Sequence, residues 1–166
     1  RSTVRISSSI RPGARSGKAV EVETLISGGP HRGGTVGIIL SNVPDGLRYT
    51  KDHEWAKLEG KRARIGITDH AQSELTDVVY VELPPIGKVA KQGAPIGTVE
   101  SVKAVSEIFA PVGGKVVEVN KALVDQPELV NKDPYGSGWM VVLEVADPTQ
   151  VNGLMDAAAY RRHIGE

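Results

Sequence analysis

The chain has 166 residues, of which 20 are basic, 20 are acidic and 40% are apolar. A net charge of zero supplies no general attraction to nucleic acid or to an anionic membrane, and the length suits one globular domain better than two. The absence of cysteine excludes disulfides, thiolate zinc sites, iron–sulfur clusters and cysteine nucleophiles, so any thiol chemistry needs a group the chain does not encode.

Residues 1–40 read as an extension to a domain over residues 41–166. Arg1, Arg5, Arg11, Arg15 and Lys18 precede the first acid, Glu21, and serines cluster at Ser7, Ser8 and Ser9. Such a segment has too little apolar surface to offset its ordering entropy and is expected to be disordered. Two readings stand. One is an organellar transit segment, which would direct the chain to the mitochondrial matrix. The other is an upstream stretch translated from a misplaced start, ahead of a cytoplasmic bacterial protein. The best apolar run, Val36 to Leu40, is far too short to span a bilayer.

From Leu47 the sequence becomes dense in short strand patterns. Trp55 to Glu59 and Arg62 to Ile67 read as a hairpin turning at Gly60-Lys61. Asp69 followed by Gln72 resembles a capping box, which predicts a helix from His70 to Leu75. Val78 to Leu83 is a strand rich in β-branched residues, and Pro84-Pro85 stops it. Pro95 to Val99 and Glu107 to Phe109 read as a strand pair around Val102 to Val105. Lys115 to Asn120 and Trp139 to Val145 are further strands. A C-terminal helix is expected over Gln150 to Arg162, with Leu154 and Ala158 on one face. The pattern predicts a mainly β barrel or sandwich with short helical additions.

Conventional catalytic signals are weak. Gly29, Gly34 and Thr35 echo a phosphate loop without its lysine, and Pro30 sits inside it. His31, His53, His70 and His163 have no metal-ligand spacing among themselves. There is no Gly-x-Ser-x-Gly elbow. Asp52-His53-Glu54 ahead of Trp55 reads as a solvated strand start, with acid–base work the minority reading.

The informative stretch is Glu100-Ser101-Val102-Lys103-Ala104-Val105-Ser106-Glu107. Lys103 falls at the tip of the expected hairpin, between small apolar neighbours, with Gly97 before it and Gly113-Gly114 after it. An exposed amine on a rigid base suits covalent tethering of a carried group. A Schiff-base or general-base lysine would need burial or neighbouring cations, and Glu100 and Glu107 oppose that shift. An ordinary surface lysine is the remaining bland reading.

Residues 41 to the C-terminus resemble the H-protein family of the glycine cleavage system. The resemblance rests on separated blocks: Ser41-Asn42-Val43-Pro44-Asp45-Gly46-Leu47 with Tyr49, then His53-Glu54-Trp55, then Ile65 to Gln72, then Glu100 to Lys103 with Pro111, Gly114 and Asn120. It continues through Pro127 to Asn131, Pro134-Tyr135-Gly136 and Gly138-Trp139. Biotinyl domains usually carry methionines around the lysine, and acyltransferase lipoyl domains typically read Asp-Lys-Ala; here Val102 and Ala104 flank Lys103.

The resemblance implies a barrel-sandwich hybrid, lipoyl-domain-like, with short helices and a C-terminal helix. It implies a monomeric, non-catalytic carrier with lipoate held covalently on Lys103 as N6-lipoyl-lysine. The partners implied are glycine decarboxylase, aminomethyltransferase, dihydrolipoyl dehydrogenase and a lipoyl- or octanoyl-transferring enzyme, with no nucleic acid and no membrane. By matching positions, Asp52, Glu54 and Glu107 would line a cleft for the aminomethyl-loaded arm; relatives often carry serine at the position of Asp52. The alternative within the resemblance is a relay protein serving lipoylation of 2-oxoacid dehydrogenase complexes, and a non-carrier binding module is a further one.

Overall fold

The computed structural model describes residues 4–8, 18–24 and 36–166. Strands β1 (Val4–Ser8), β2 (Lys18–Thr24) and β3 (Val36–Leu40) pair antiparallel in the order β1-β2-β3. Of the segment expected to be disordered, residues 1–3, 9–17 and 25–35 lie outside the described residues, and so does the echo of a phosphate loop. Val43–Glu166 forms a compact unit separate from Arg1–Asn42.

Within that unit β4 (Arg48–Tyr49), β5 (Glu54–Glu59) and β6 (Arg62–Ile67) lead into α1 (Asp69–Leu75). Then follow β7 (Val78–Glu82), β8 (Val89–Ala90), β9 (Pro95–Ser101), β10 (Val105–Phe109) and β11 (Gly114–Val119). Two single-turn helices, α2 (Ala122–Asp125) and α3 (Leu129–Lys132), precede β12 (Val141–Val145). The chain closes on a 3-10 turn, Pro148–Gly153, and α4 (Ala157–His163).

Two antiparallel sheets result, one ordered β4-β5-β6-β12-β11-β8 and the other β10-β9-β7. Their inner faces share one core. Ile65, Val116 and Leu143 come from the larger sheet and Val81, Val99 and Ile108 from the smaller. This is the mainly β, lipoyl-domain-like sandwich that the strand pattern and the resemblance imply. A second cluster joins Val43, Tyr49, Trp55, Ala157 and Tyr160, and α4 is held on β4 by stacking of Tyr160 on Tyr49. Trp55 is sealed in by Gly66 on the neighbouring strand: a Cβ there would stand 2.7 Å from the indole nitrogen.

The strands expected around Gly60-Lys61 pair as a hairpin, with Glu59 opposite Arg62. Two local expectations need correction. Thr68, not Asp69, caps α1, accepting from the Ala71 amide at 3.2 Å. Asp69 instead takes the Gln72 side-chain amide at 2.7 Å, one residue inside the helix. The C-terminal helix is also shorter than Gln150 to Arg162. Asp147 caps a 3-10 turn, and Met155 then bridges back to Tyr49 in extended form. Asp156 caps α4 through the Ala159 amide at 2.8 Å, and the face of α4 that packs is Ala157 and Tyr160; Ala158 is exposed, while Leu154 packs on the main core from the segment before the helix. A second extended segment between two cap residues cannot be read from apolar spacing alone.

Candidate functional site

Lys103 sits at the tip of the β9–β10 hairpin, which is tighter than the strand pattern suggests. Val105 pairs with Glu100, leaving Val102, Lys103 and Ala104 as the loop. Backbone and one side chain fix this loop. The Ser101 amide donates to the Ala104 carbonyl at 2.8 Å. The buried Ser101 hydroxyl accepts from the Lys103 amide at 3.2 Å and the Ala104 amide at 3.0 Å. The Val102 amide donates to the Asp77 carbonyl at 3.1 Å, tying the tip to the α1–β7 connection. Asn131 braces that connection from α3, accepting from the Val78 amide at 2.9 Å and donating to the Thr76 carbonyl at 2.6 Å. The Lys103 side chain itself is exposed and lies over the end of α1, donating to the Glu74 carbonyl at 3.3 Å.

A cleft of about 130 Å³ lies beside that end of α1. Asp52, Glu54 and Glu107 line it together with His53, Glu74 and Ser106, so the fold brings all three expected carboxylates to one place. They are not equivalent. Asp52 and Glu107 are exposed, whereas Glu54 is 1% exposed and forms part of the wall. One Glu54 oxygen accepts from the Phe109 amide at 3.0 Å, and the other accepts from the Thr50 hydroxyl. Burial raises the Glu54 pKa, while those two hydrogen bonds pull it back down. Glu54 therefore joins β5 to β10 as well as lining the cleft.

The histidines come together although their spacing in the chain does not suggest it. His53 and His70 have ring centroids 4.8 Å apart, and His163 lies 5.7 Å from His53. His53 Nδ1 meets the Tyr160 hydroxyl at 2.8 Å, and that hydroxyl meets the Thr68 hydroxyl at 2.7 Å. His53 holds a left-handed backbone, with φ 72°. Burial, then the neighbouring His70, lower its pKa, so the neutral ring is favoured. This polar rim joins the residue ahead of β5 to α1 and α4, and sequence reasoning missed it because its members are far apart in the chain, His53 and Tyr160 by 107 residues.

A two-sheet sandwich with a lysine at the apex of a tight hairpin defines a lipoyl-domain-like protein. The comparisons narrow the class. The model of the glycine cleavage H-protein family matches residues 47–166. The glycine cleavage system H protein of Chlorobium luteolum is 59% identical over 126 residues, 75% of this chain and 98% of that protein. That of Anaeromyxobacter sp. strain K is 55% identical over 124 residues, 75% of this chain and 97% of that protein. The crystal structure of a glycine cleavage system H protein from Mycobacterium marinum superposes with a TM-score of 0.69 at 38% identity, covering 75% of this chain and all of that one. The chain belongs to the glycine cleavage H-protein family.

Proposed function

We propose that this protein is a lipoylated carrier that moves the aminomethyl group of glycine between glycine decarboxylase, aminomethyltransferase and dihydrolipoyl dehydrogenase. The observation that carries the reading is Lys103: an exposed amine on a three-residue tip, directed over α1 toward a cleft that holds three carboxylates.

The residues present fit a lipoyl group on that amine. The loop backbone is pinned through Ser101 and Asp77, so a modifying enzyme meets one preorganised turn rather than an ensemble. Amide formation at Nζ removes the lysine charge and costs one exposed contact to the Glu74 carbonyl. When bound, the dithiolane supplies the reversible thiol chemistry that a chain without cysteine lacks.

Asp52 and Glu107 offer exposed carboxylates at the cleft mouth, and Glu54 places a buried one, with its pKa raised by burial, in its wall. A primary ammonium carried into the cleft would be held by charge-assisted hydrogen bonds to such groups and shielded from water. The protein supplies attachment and shelter; the bond-making steps belong to the partner enzymes, with a lipoyl- or octanoyl-transferring enzyme acting on Lys103 beforehand.

Co-expression with a lipoylating system and intact-mass measurement tests the attachment. One lipoyl mass is expected on the wild type and none on Lys103→Ala; added mass that persists in the variant overturns the assignment. Glycine–bicarbonate exchange with glycine decarboxylase then tests the cargo, and a fully lipoylated protein that fails to support exchange overturns the glycine cleavage role.

A further inference from the structure

The rim of the cleft holds a group of side chains that the carrier reading does not use. His53, His70 and Glu74 place one donor atom each within 4.8 Å of one another. His70 and Glu74 stand one helical turn apart on α1, with His70 Nε2 and a Glu74 oxygen 3.2 Å apart. Donor atoms around a tetrahedral zinc ion are separated by about 3.3 Å, given bonds of about 2.0–2.1 Å. That pair therefore already has the bite of a metal site, and rotation of the half-exposed side chains closes the third corner.

His53 is held from behind, as a ligating imidazole usually is. Its Nδ1 is engaged by the Tyr160 hydroxyl, itself anchored by Thr68, which holds the ring and leaves Nε2 as the ligating nitrogen; the His70 ring centroid is 4.8 Å away. The competing reading is a surface ion pair between His70 and Glu74 with His53 merely packed beside it. A simple pair accounts neither for the His53 donor atom within 4.8 Å of both partners nor for the Tyr160–Thr68 anchor behind that ring.

We propose that His53, His70 and Glu74 form a binding site for a divalent transition metal of the zinc class. Two imidazoles and one carboxylate match borderline cations such as Zn²⁺ and Co²⁺, whereas Mg²⁺ and Ca²⁺ take all-oxygen sets. The site is independent of whether Lys103 carries a lipoyl group, so the two readings fail separately.

Calorimetric titration of the chelator-stripped, unmodified full chain with Zn²⁺, together with the visible spectrum of added Co²⁺, tests the site. One equivalent of Zn²⁺ and the intense visible bands of four-coordinate cobalt are expected, with no saturable heat from Mg²⁺. Glu74→Gln, on the exposed face of α1, and His70→Gln should each weaken Zn²⁺ at least about tenfold, the loss that outer-shell changes alone can produce. His53→Asn, which tolerates the left-handed backbone, should do the same. Absence of one-to-one binding overturns the site. So does unchanged affinity in Glu74→Gln, which does not depend on how well the histidine variants fold.

Discussion

The hairpin tip and the polar rim lie side by side but are built by opposite means. The tip is made of consecutive residues, Ser101 to Ala104, and its fixed points are backbone groups and one serine hydroxyl. The rim is assembled from β5, α1, β10 and α4, and its fixed points are side chains far apart in the chain: Glu54 on Phe109, His53 on Tyr160, Thr68 on Tyr160. A local device can expose its functional atom because nothing else in the fold depends on it. A long-range network stabilises the fold through the same groups that shape the cleft. Substitution at the tip should therefore change chemistry and leave stability alone, and substitution at the rim should do the reverse.

The sharpest break of that symmetry is Lys103→Arg. Lipoylation should vanish entirely by intact mass, because a guanidinium cannot form the amide, while unfolding free energy stays within about 0.5 kcal/mol of wild type, as for exposed sites generally. A clear drop in denaturation midpoint would show that the tip carries load in the fold. Next is Glu54→Ala, which leaves the Phe109 amide and the Thr50 hydroxyl without their shared partner. Orphaning such buried groups costs about 1–3 kcal/mol, or roughly 2–4 °C in Tm for each kcal/mol at this size. Lipoylation of Lys103 should persist, checked by mass on the refolded variant.

Ser101→Ala probes the one point where the regions share a method, since Ser101 is a buried side chain holding a local turn. It removes the acceptor for the Lys103 and Ala104 amides, which at the exposed tip can turn to water, so the loss should be about 1 kcal/mol or less. The rate of lipoylation should fall while its end point stays complete, read by a mass time course. An unchanged rate would mean that the modifying enzyme shapes the loop itself.

The same contrast explains what was legible in the sequence. Gly60-Lys61, the β-branched run at Val78 and the lysine between Val102 and Ala104 are local signals, and the strands and tip they imply are present. The cap of α1 was misplaced by one residue because Thr68 and Asp69 are both competent caps and only the backbone angles choose between them. The helix expected from Gln150 divides because Met155 is drawn into pairing with Tyr49, a tertiary contact with no local signature. The three carboxylates were placed by family resemblance, and the structure separates them: Asp52 and Glu107 exposed, Glu54 buried with both oxygens engaged. The histidine rim was invisible because no spacing rule relates residue 53 to residues 70 and 160.

The smallest expected effect asks whether Glu54 is charged as well as buried. Its pKa in the folded protein is raised above the ordinary glutamate value of 4.5, first by burial and further by Asp52, against the opposing hydrogen bonds from Thr50 and the Phe109 amide. A carboxyl with a raised folded pKa takes up its proton more readily in the native than in the unfolded state. Below pH 4.5 both states are protonated and no penalty exists. As pH climbs from there through the raised value, the native carboxyl is forced to ionise in its buried position, and stability falls until the titration is complete. Glu54→Gln keeps an oxygen for the Phe109 amide and has no proton to lose, so it lacks this decline. The difference in unfolding free energy between wild type and Glu54→Gln should shift steadily in favour of glutamine across that window and then become flat. Urea denaturation at successive pH values, in chelator-treated buffer to keep cations off His53 and His70, measures it, and titrating groups that do not interact with Glu54 cancel in the difference. A flat difference throughout would mean that the two hydrogen bonds fully compensate burial and that the wall of the cleft offers a cationic guest an ionised Glu54.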